Sequence, residues 1–194
     1  MVVSPKDIPR HYFTWEEYFA LEKVGDGRYE YWDGEIVSMV GGVKQHAIIG
    51  GNVYLSLGTQ LKGRSCRPFN GELAIKTPKS PPYRYPDASV ACEEILYEEI
   101  DGIDMLVNPT LVVEVLSPRT ESRDRNEKRK AYQSLSSMQE YLLFSQDAPH
   151  LTHYVKKGDL WMRKDYADLD TVVELPSIAC QLSLRDVYEG VVFK

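Results

Sequence analysis

Leu111-Val112-Val113-Glu114-Val115-Leu116 is an apolar, β-branched run with a single acid inside it, and its reading decides the fold. Such a run reads as a buried strand. An ionised carboxylate there is costly unless something pairs with it, and a hard divalent cation held between two carboxylates is one solution. A second acid has a similar setting upstream, where Tyr85-Pro86-Asp87 opens the run Ala88-Ser89-Val90-Ala91-Cys92. For one ion to bridge them, Asp87 and Glu114 must lie on adjacent strands with their side chains on one face. Directly after the Glu114 strand come Ser117-Pro118-Arg119-Thr120 and a charged helix in which Asp124, Lys128 and Tyr132 recur every four residues. The arrangement points to metal-assisted phosphodiester chemistry.

Outward from these two acids, the chain alternates helical and extended patterns. Thr14-Trp15-Glu16-Glu17 fits a capping box, which starts a short helix reaching about Lys23. Asp33-Gly34 tolerates the positive φ of a tight turn, so Tyr29-Glu30-Tyr31-Trp32 and Glu35-Ile36-Val37 form a hairpin with Glu35 just past the turn. Ile48, Ile49, Val53, Leu57 and Leu61 recur at helical spacing between Gln45 and Leu61, and Gly50-Gly51 suggests close packing on that helix. Strands are expected over Cys66–Thr77, Arg84–Cys92 and Thr110–Leu116, with the proline-rich stretch from Pro78 to Pro82 as the first link. A helix from Asp124 to Leu135 follows, then a buried strand Tyr141–Phe144. A hairpin comes next, with arms His150–Lys156 and Leu160–Lys164 around Lys157-Gly158-Asp159, and Leu182–Tyr188 closes the chain as a short helix. This order gives one domain over residues 1–194, an α/β architecture with a mixed β-sheet flanked by helices, an N-terminal helix and β-hairpin, and a C-terminal β-hairpin.

Bulk properties narrow the class. With 43% hydrophobic and 27% charged residues the chain is expected to fold as a soluble globule, and no apolar run approaches the ~20 residues of a membrane span. Charges in Met1–Ala20 leave no apolar core for a signal peptide, so a cytoplasmic protein with no membrane partner is expected. Cys66, Cys92 and Cys180 are widely spaced and form no C-x-x-C pair; they are read as small buried hydrophobes, with neither a zinc knuckle nor a disulfide framework. The net charge of −6 argues against a protein that coats nucleic acid indiscriminately. The distribution matters more. Glu93, Glu94, Glu98, Glu99, Asp101 and Asp104 form a stretch with no base, whereas 119–130 holds six bases against three acids, so a polyanion is drawn to the second segment and repelled by the first.

Taken together, these residues resemble the PD-(D/E)XK nuclease superfamily, in particular its bacterial restriction-endonuclease-like branch, first catalogued as a domain of unknown function. The resemblance covers most of the chain. It rests on Asp33-Gly34-Glu35, His46, Pro86-Asp87, the stretch Asn108-Pro109-Thr110 through Glu114 to Ser117-Pro118, Asp124 with Lys128 and Tyr132, and Glu140-Tyr141. It implies a restriction-endonuclease-like core, Mg2+ or Mn2+ as cofactor, DNA as substrate with RNA as a further possibility, and a homodimer for cutting both strands. It also implies a site in which Asp87, Glu114 and the carbonyl of Val115 hold the ion. The superfamily signature ends in acid, any residue, lysine, but Leu116 stands here in the lysine's place. Lys128 on the following helix is the matching candidate, since a long lysine stem over that strand face can put its ammonium at the same spot. Many members carry a metal-orienting glutamate on the first helix, whereas no Asp or Glu lies between Lys44 and Leu61. Glu35, His46 or Glu72 is the substitute.

Each of these residues also has a plainer reading. Asp87 can bond local amides after its proline, and Glu114 can face outward from an edge strand. Lys128 can be a solvated helix lysine paired with Asp124, and Asp124 an N-cap with Glu127 as its box partner. His46 and Glu35 can be ordinary hydrogen-bonded groups, and His150 with His153 falls in a hairpin expected to be exposed. Arg119, Arg123 and Arg129 are candidates for phosphate contacts. The alternative to the nuclease is a catalytically inactive nucleic-acid-binding or protein-interaction module on the same fold.

Overall fold

The computed structural model describes residues 12–24, 29–38, 43–78, 83–100 and 102–193, and the chain forms two compact units, Met1–Gly41 and Gly42–Lys194. In the first unit, α1 (Trp15–Val24) precedes the hairpin of β1 (Tyr29–Trp32) and β2 (Glu35–Ser38). The capping box closes reciprocally: the Thr14 N–H donates to Glu17 Oε2 at 2.7 Å, and the Glu17 N–H donates to Thr14 Oγ1 at 3.3 Å. Asp33 and Gly34 both take positive φ, 46° and 90°, as a two-residue turn between Trp32 and Glu35 requires. Trp15 stacks on Tyr31 with ring centroids 4.4 Å apart, tying helix to hairpin.

The second unit is built on a six-stranded sheet. In chain order it contains α2 (Lys44–Leu61), β3 (Cys66–Asn70), β4 (Ala74–Lys76), β5 (Tyr83–Arg84), β6 (Ala88–Cys92), β7 (Tyr97–Ile100), β8 (Ile103–Leu106) and β9 (Leu111–Leu116). A continuous helix over 121–133 follows, made of α3 (Glu121–Arg123), a π-helical turn (Asp124–Lys128) and α4 (Arg129–Gln133). Then come β10 (Glu140–Ser145), β11 (Leu151–Lys157), β12 (Leu160–Tyr166), β13 (Val172–Leu175), β14 (Cys180–Ser183) and α5 (Leu184–Val187). The large sheet has the order β12-β11-β10-β9-β6-β3; β9 and β10 are parallel and the other pairs antiparallel. The helix over 121–133 is the crossover that a parallel pair needs.

All six residues of β9 are buried, as its composition demands. Val113 and Val115 pack on one face with Ile49, Val53 and Leu57 of α2, while Val112 and Leu116 pack on the other with Tyr132, Tyr141 and Leu143. Each fully buried aliphatic side chain here contributes roughly 1.5–3 kcal/mol. Glu114 alternates onto the second face, beneath the 121–133 helix rather than beneath α2.

Several expectations need correction. The stretch read as one strand, Cys66–Thr77, is two, because Asn70-Gly71 turns the chain: the Glu72 N–H donates to Asn70 Oδ1 at 3.1 Å, and β4 leaves for a separate sheet of order β5-β4-β8-β7. The stretch Arg84–Cys92 breaks at Pro86-Asp87 into β5 and β6, and of the proline-rich link, residues 79–82 lie outside the described residues. The acid-rich segment forms the β7–β8 hairpin, whose turn is allowed by Gly102 at φ 87°. Residues 180–183, partly assigned to the closing helix, are strand β14 instead, and α5 begins only where Ser183 caps the Asp186 N–H at 3.3 Å. Gly50 and Gly51 do not mark a tight approach, since a Cβ would meet nothing closer than 4.0 Å at the first and nothing within that distance at the second. Cys66 and Cys92 form a disulfide across β3 and β6, while Cys180 is buried and free. Antiparallel register sets the first two opposite one another, a proximity that spacing in sequence does not reveal.

Candidate active site

Pro86 cannot donate to a ladder, so the chain enters β6 only at Ala88, and Asp87 stands at the strand's mouth. Its N–H bonds the Val113 carbonyl at 3.1 Å, and its Oδ2 accepts the Val115 N–H at 2.5 Å. The plainer reading of Asp87, a proline-following acid bonding an amide, is therefore part of its geometry. Glu114 is 3% exposed, which rules out an outward-facing edge residue. Lys128 is 2% exposed, not a solvated helix lysine. Its Nζ lies 3.1 Å from Glu114 Oε1, 3.6 Å from Asp124 Oδ1 and 3.0 Å from the Tyr85 carbonyl oxygen. Asp124 lies inside the helix and is buried, so it is not an N-cap.

The lysine arrives there by way of the π-helical turn. Its wider winding carries Asp124 and Lys128 together onto the sheet side of the helix, and π turns of this kind recur at functional positions. Tyr141, from the neighbouring β10, donates its hydroxyl to the Asp124 carbonyl at 2.9 Å. Burial pushes the Tyr141 phenol well above its ordinary value, and the fields of Glu114, Asp124, Tyr132 and Asp87 push it further, so Tyr141 remains a protonated donor.

His46, near the start of α2, places Nε2 at 3.4 Å from Asp87 Oδ2, with both side chains partly exposed. The candidates thus meet in two pairs, His46 with Asp87 at the mouth of β6 and Lys128 with Glu114 on the neighbouring β9. Glu72 sits in the exposed turn between β3 and β4 rather than on a strand, and Glu35 opens β2 of the other unit. Arg119 is exposed and Arg123 half-buried, whereas the Arg129 guanidinium lies 5.2 Å over the Tyr154 ring. Asp124 and Tyr141 belong to the cluster in roles that sequence reading did not assign. The four-residue spacing of Asp124, Lys128 and Tyr132 carried the signal, because all three occupy one helix face and that face is the buried one.

His153 also departs from expectation. It is buried on β11, with Nε2 2.5 Å from Glu140 Oε2, on the sheet face opposite Glu114. It pairs with a structural carboxylate that also accepts the Ser177 N–H at 2.7 Å.

Residues 15–186 match the family described as "Uma2: Putative restriction endonuclease". The chain belongs to the Uma2 family. Two relatives from Synechocystis sp. are similar along most of their length: the uncharacterised protein slr1290, 34% identical over 97% of this chain and 95% of its own, and the uncharacterised protein sll1609, 32% identical over 82% and 87%. Among solved structures, the crystal structure titled as "a putative nuclease belonging to DUF820" from Anabaena variabilis superposes with a TM-score of 0.71, covering 93% of this chain and 99% of that one. At 22% identity it establishes the fold. The Uma2 chain therefore has the restriction-endonuclease-like α/β fold, consistent with the PD-(D/E)XK group that its residues resemble. Among its described residues no helix is long and apolar enough to cross a membrane.

The donor set bears on which cofactor this Uma2 site fits. Among the described residues no three His, Cys, Asp or Glu side chains are gathered as a ready-made metal cage. What Asp87, Glu114 and the Val115 backbone offer is carboxylate and carbonyl oxygen. That set suits a hard cation bound through one or two carboxylates and keeping several waters, the habit of Mg2+.

Proposed function

We propose that this chain is a metal-dependent endonuclease that hydrolyses DNA phosphodiester bonds. The observation that carries the reading is the meeting of the Lys128 ammonium with Glu114 on β9, beside the strand mouth at which Asp87 stands. Asp87, Glu114 and the Val115 carbonyl would hold Mg2+ or Mn2+. When bound, such an ion lowers the pKa of a water and polarises a phosphoryl oxygen.

The remaining chemistry belongs to the side chains. Lys128 supplies a point charge against the negative charge that develops on a phosphoryl oxygen, a task for which an ammonium held by three oxygens is well placed. Asp124 and Tyr141 position Lys128: the first through its carboxylate, the second by fixing the π turn through the Asp124 carbonyl. His46 orients Asp87 from the α2 side, and Glu35, at the start of β2, is a further candidate acid. Arg119 and Arg123, next to the cluster in sequence, contribute flanking phosphate contacts.

Thermal unfolding with and without Mn2+ tests the metal part. Saturation at about a hundred times the dissociation constant adds roughly 2.7 kcal/mol by mass action. Wild type should show that rise, and Glu114→Gln should lose most of it while keeping the side chain's shape. A protein indifferent to both ions that still retains single- or double-stranded nucleic acid would be the inactive binding module instead.

A further inference from the structure

Among the described residues the central sheet has two open edges. On β3 the edge is short and interrupted by Pro68, which lacks an N–H. On β12 it is seven residues long and free of proline, and no described strand pairs with its outer side. Long open edges invite another strand. β12 also exposes two large apolar side chains, Leu160 at 68% and Met162 at 52%.

Alternation sorts the strand's side chains. The register Val112–Tyr141, Tyr141–Tyr154, Tyr154–Arg163 carries the Glu114 face of β9 across to β12, so Trp161 and Arg163 lie on the same face as the acid cluster. Leu160, Met162 and Lys164 lie on the α2 face.

We propose that β12 pairs antiparallel with β12 of a second copy of this chain, about a twofold axis at Met162. In this register Met162 meets the partner's Met162, Leu160 lies along the aliphatic stem of the partner's Lys164, and Trp161 meets the face of the partner's Arg163 guanidinium, whose N–H groups are donated to Asp165 of its own strand. An axis at Arg163 would instead set two guanidinium groups against each other. The twofold stands perpendicular to the sheet, so the two copies present their acid clusters on the same side of one twelve-stranded sheet. Strand spacing of ~4.8 Å and rise of ~3.3 Å per residue put the two clusters roughly 40 Å apart, on the order of one turn of B-form duplex. That last consequence rests on the nuclease reading; the strand pairing does not.

Cysteine cross-linking of the full chain, with neither metal nor nucleic acid present, tests the pairing. Cysteines directly opposite across an antiparallel pair have Cα atoms about 4.5–5.5 Å apart, within disulfide reach, whereas two cysteines at position 160 would be about 13 Å apart. Met162→Cys should therefore give a covalent dimer under mild oxidation, and Leu160→Cys and wild type should not. In sedimentation, wild type should show a concentration-dependent monomer–dimer equilibrium and Met162→Glu, which sets two carboxylates at the axis, should remain monomeric. Equal cross-linking at positions 160 and 162, a wild type monomeric at high micromolar concentration, or a Met162→Glu protein that dimerises like wild type would each overturn the proposal. If cross-linking succeeds and no cleavage is found under any metal, the nuclease reading fails and the interface stands.

Discussion

Lys128→Ala would remove the ammonium and leave Glu114 and Asp124 buried with the cation between them gone. Breaking a buried charge pair from one side costs about 3–5 kcal/mol, so the variant should lose that much in urea unfolding as well as losing activity. Lys130, one turn face away and exposed, is the control: Lys130→Ala should shift stability by no more than about 0.5 kcal/mol. Equal losses from both would mean that the helix supplies only general charge. Tyr141→Phe deletes the hydroxyl that donates to the Asp124 carbonyl in a buried setting, at a cost of about 0.5–1.5 kcal/mol. At this scale the sequence was only partly readable. Asp87 and Glu114 announce themselves because acids in apolar runs are expensive, and four-residue spacing puts Asp124, Lys128 and Tyr132 on one helix face; what a segment charged on most of its other faces does not reveal is the partner that face is buried against. The Tyr85 carbonyl, being backbone, leaves no trace in composition.

Among elements, β9 was legible because an unbroken β-branched run has few other uses, and α2 because its apolar residues recur at helical spacing. The errors fell at turns. Asn70-Gly71 and Pro86-Asp87 each break what looks like a continuous strand, since apolar alternation continues past a turn that an Asx bond or a proline imposes. β7, β8, β13 and β14 are short, and the acids of the first pair conceal its pattern. The π turn had no signature at all, because it differs from an α-helix by backbone winding rather than by residue type. α2 also offers a direct test of helix propensity: Gly51 is exposed and a Cβ there meets nothing within 4 Å, so Gly51→Ala should stabilise the protein by about 0.5–1 kcal/mol in denaturant titration. A loss instead would show that the glycine serves a contact made only in a complex.

For the whole molecule, buried tyrosines set the alkaline limit. Burial raises both Tyr141 and Tyr188 above the ordinary value of 10.0, so each keeps its proton in the folded state while the unfolded chain releases it. Above that value the folded protein binds more protons, and stability should therefore hold up to about pH 10 and fall beyond it. Tyr188→Phe should flatten part of that slope. The central claim is that the cluster at the Asp87 end of β9 cleaves DNA with a divalent ion, and conversion of supercoiled plasmid to nicked and linear forms across a Mn2+ titration tests it most directly. Wild type should convert plasmid with a rate that saturates in Mn2+, and Asp87→Asn, Glu114→Gln and Lys128→Arg should each fall by a factor of about a hundred or more. Wild type that leaves plasmid intact at every Mn2+ and Mg2+ concentration, or a Glu114→Gln protein that cuts as fast as wild type, would contradict it.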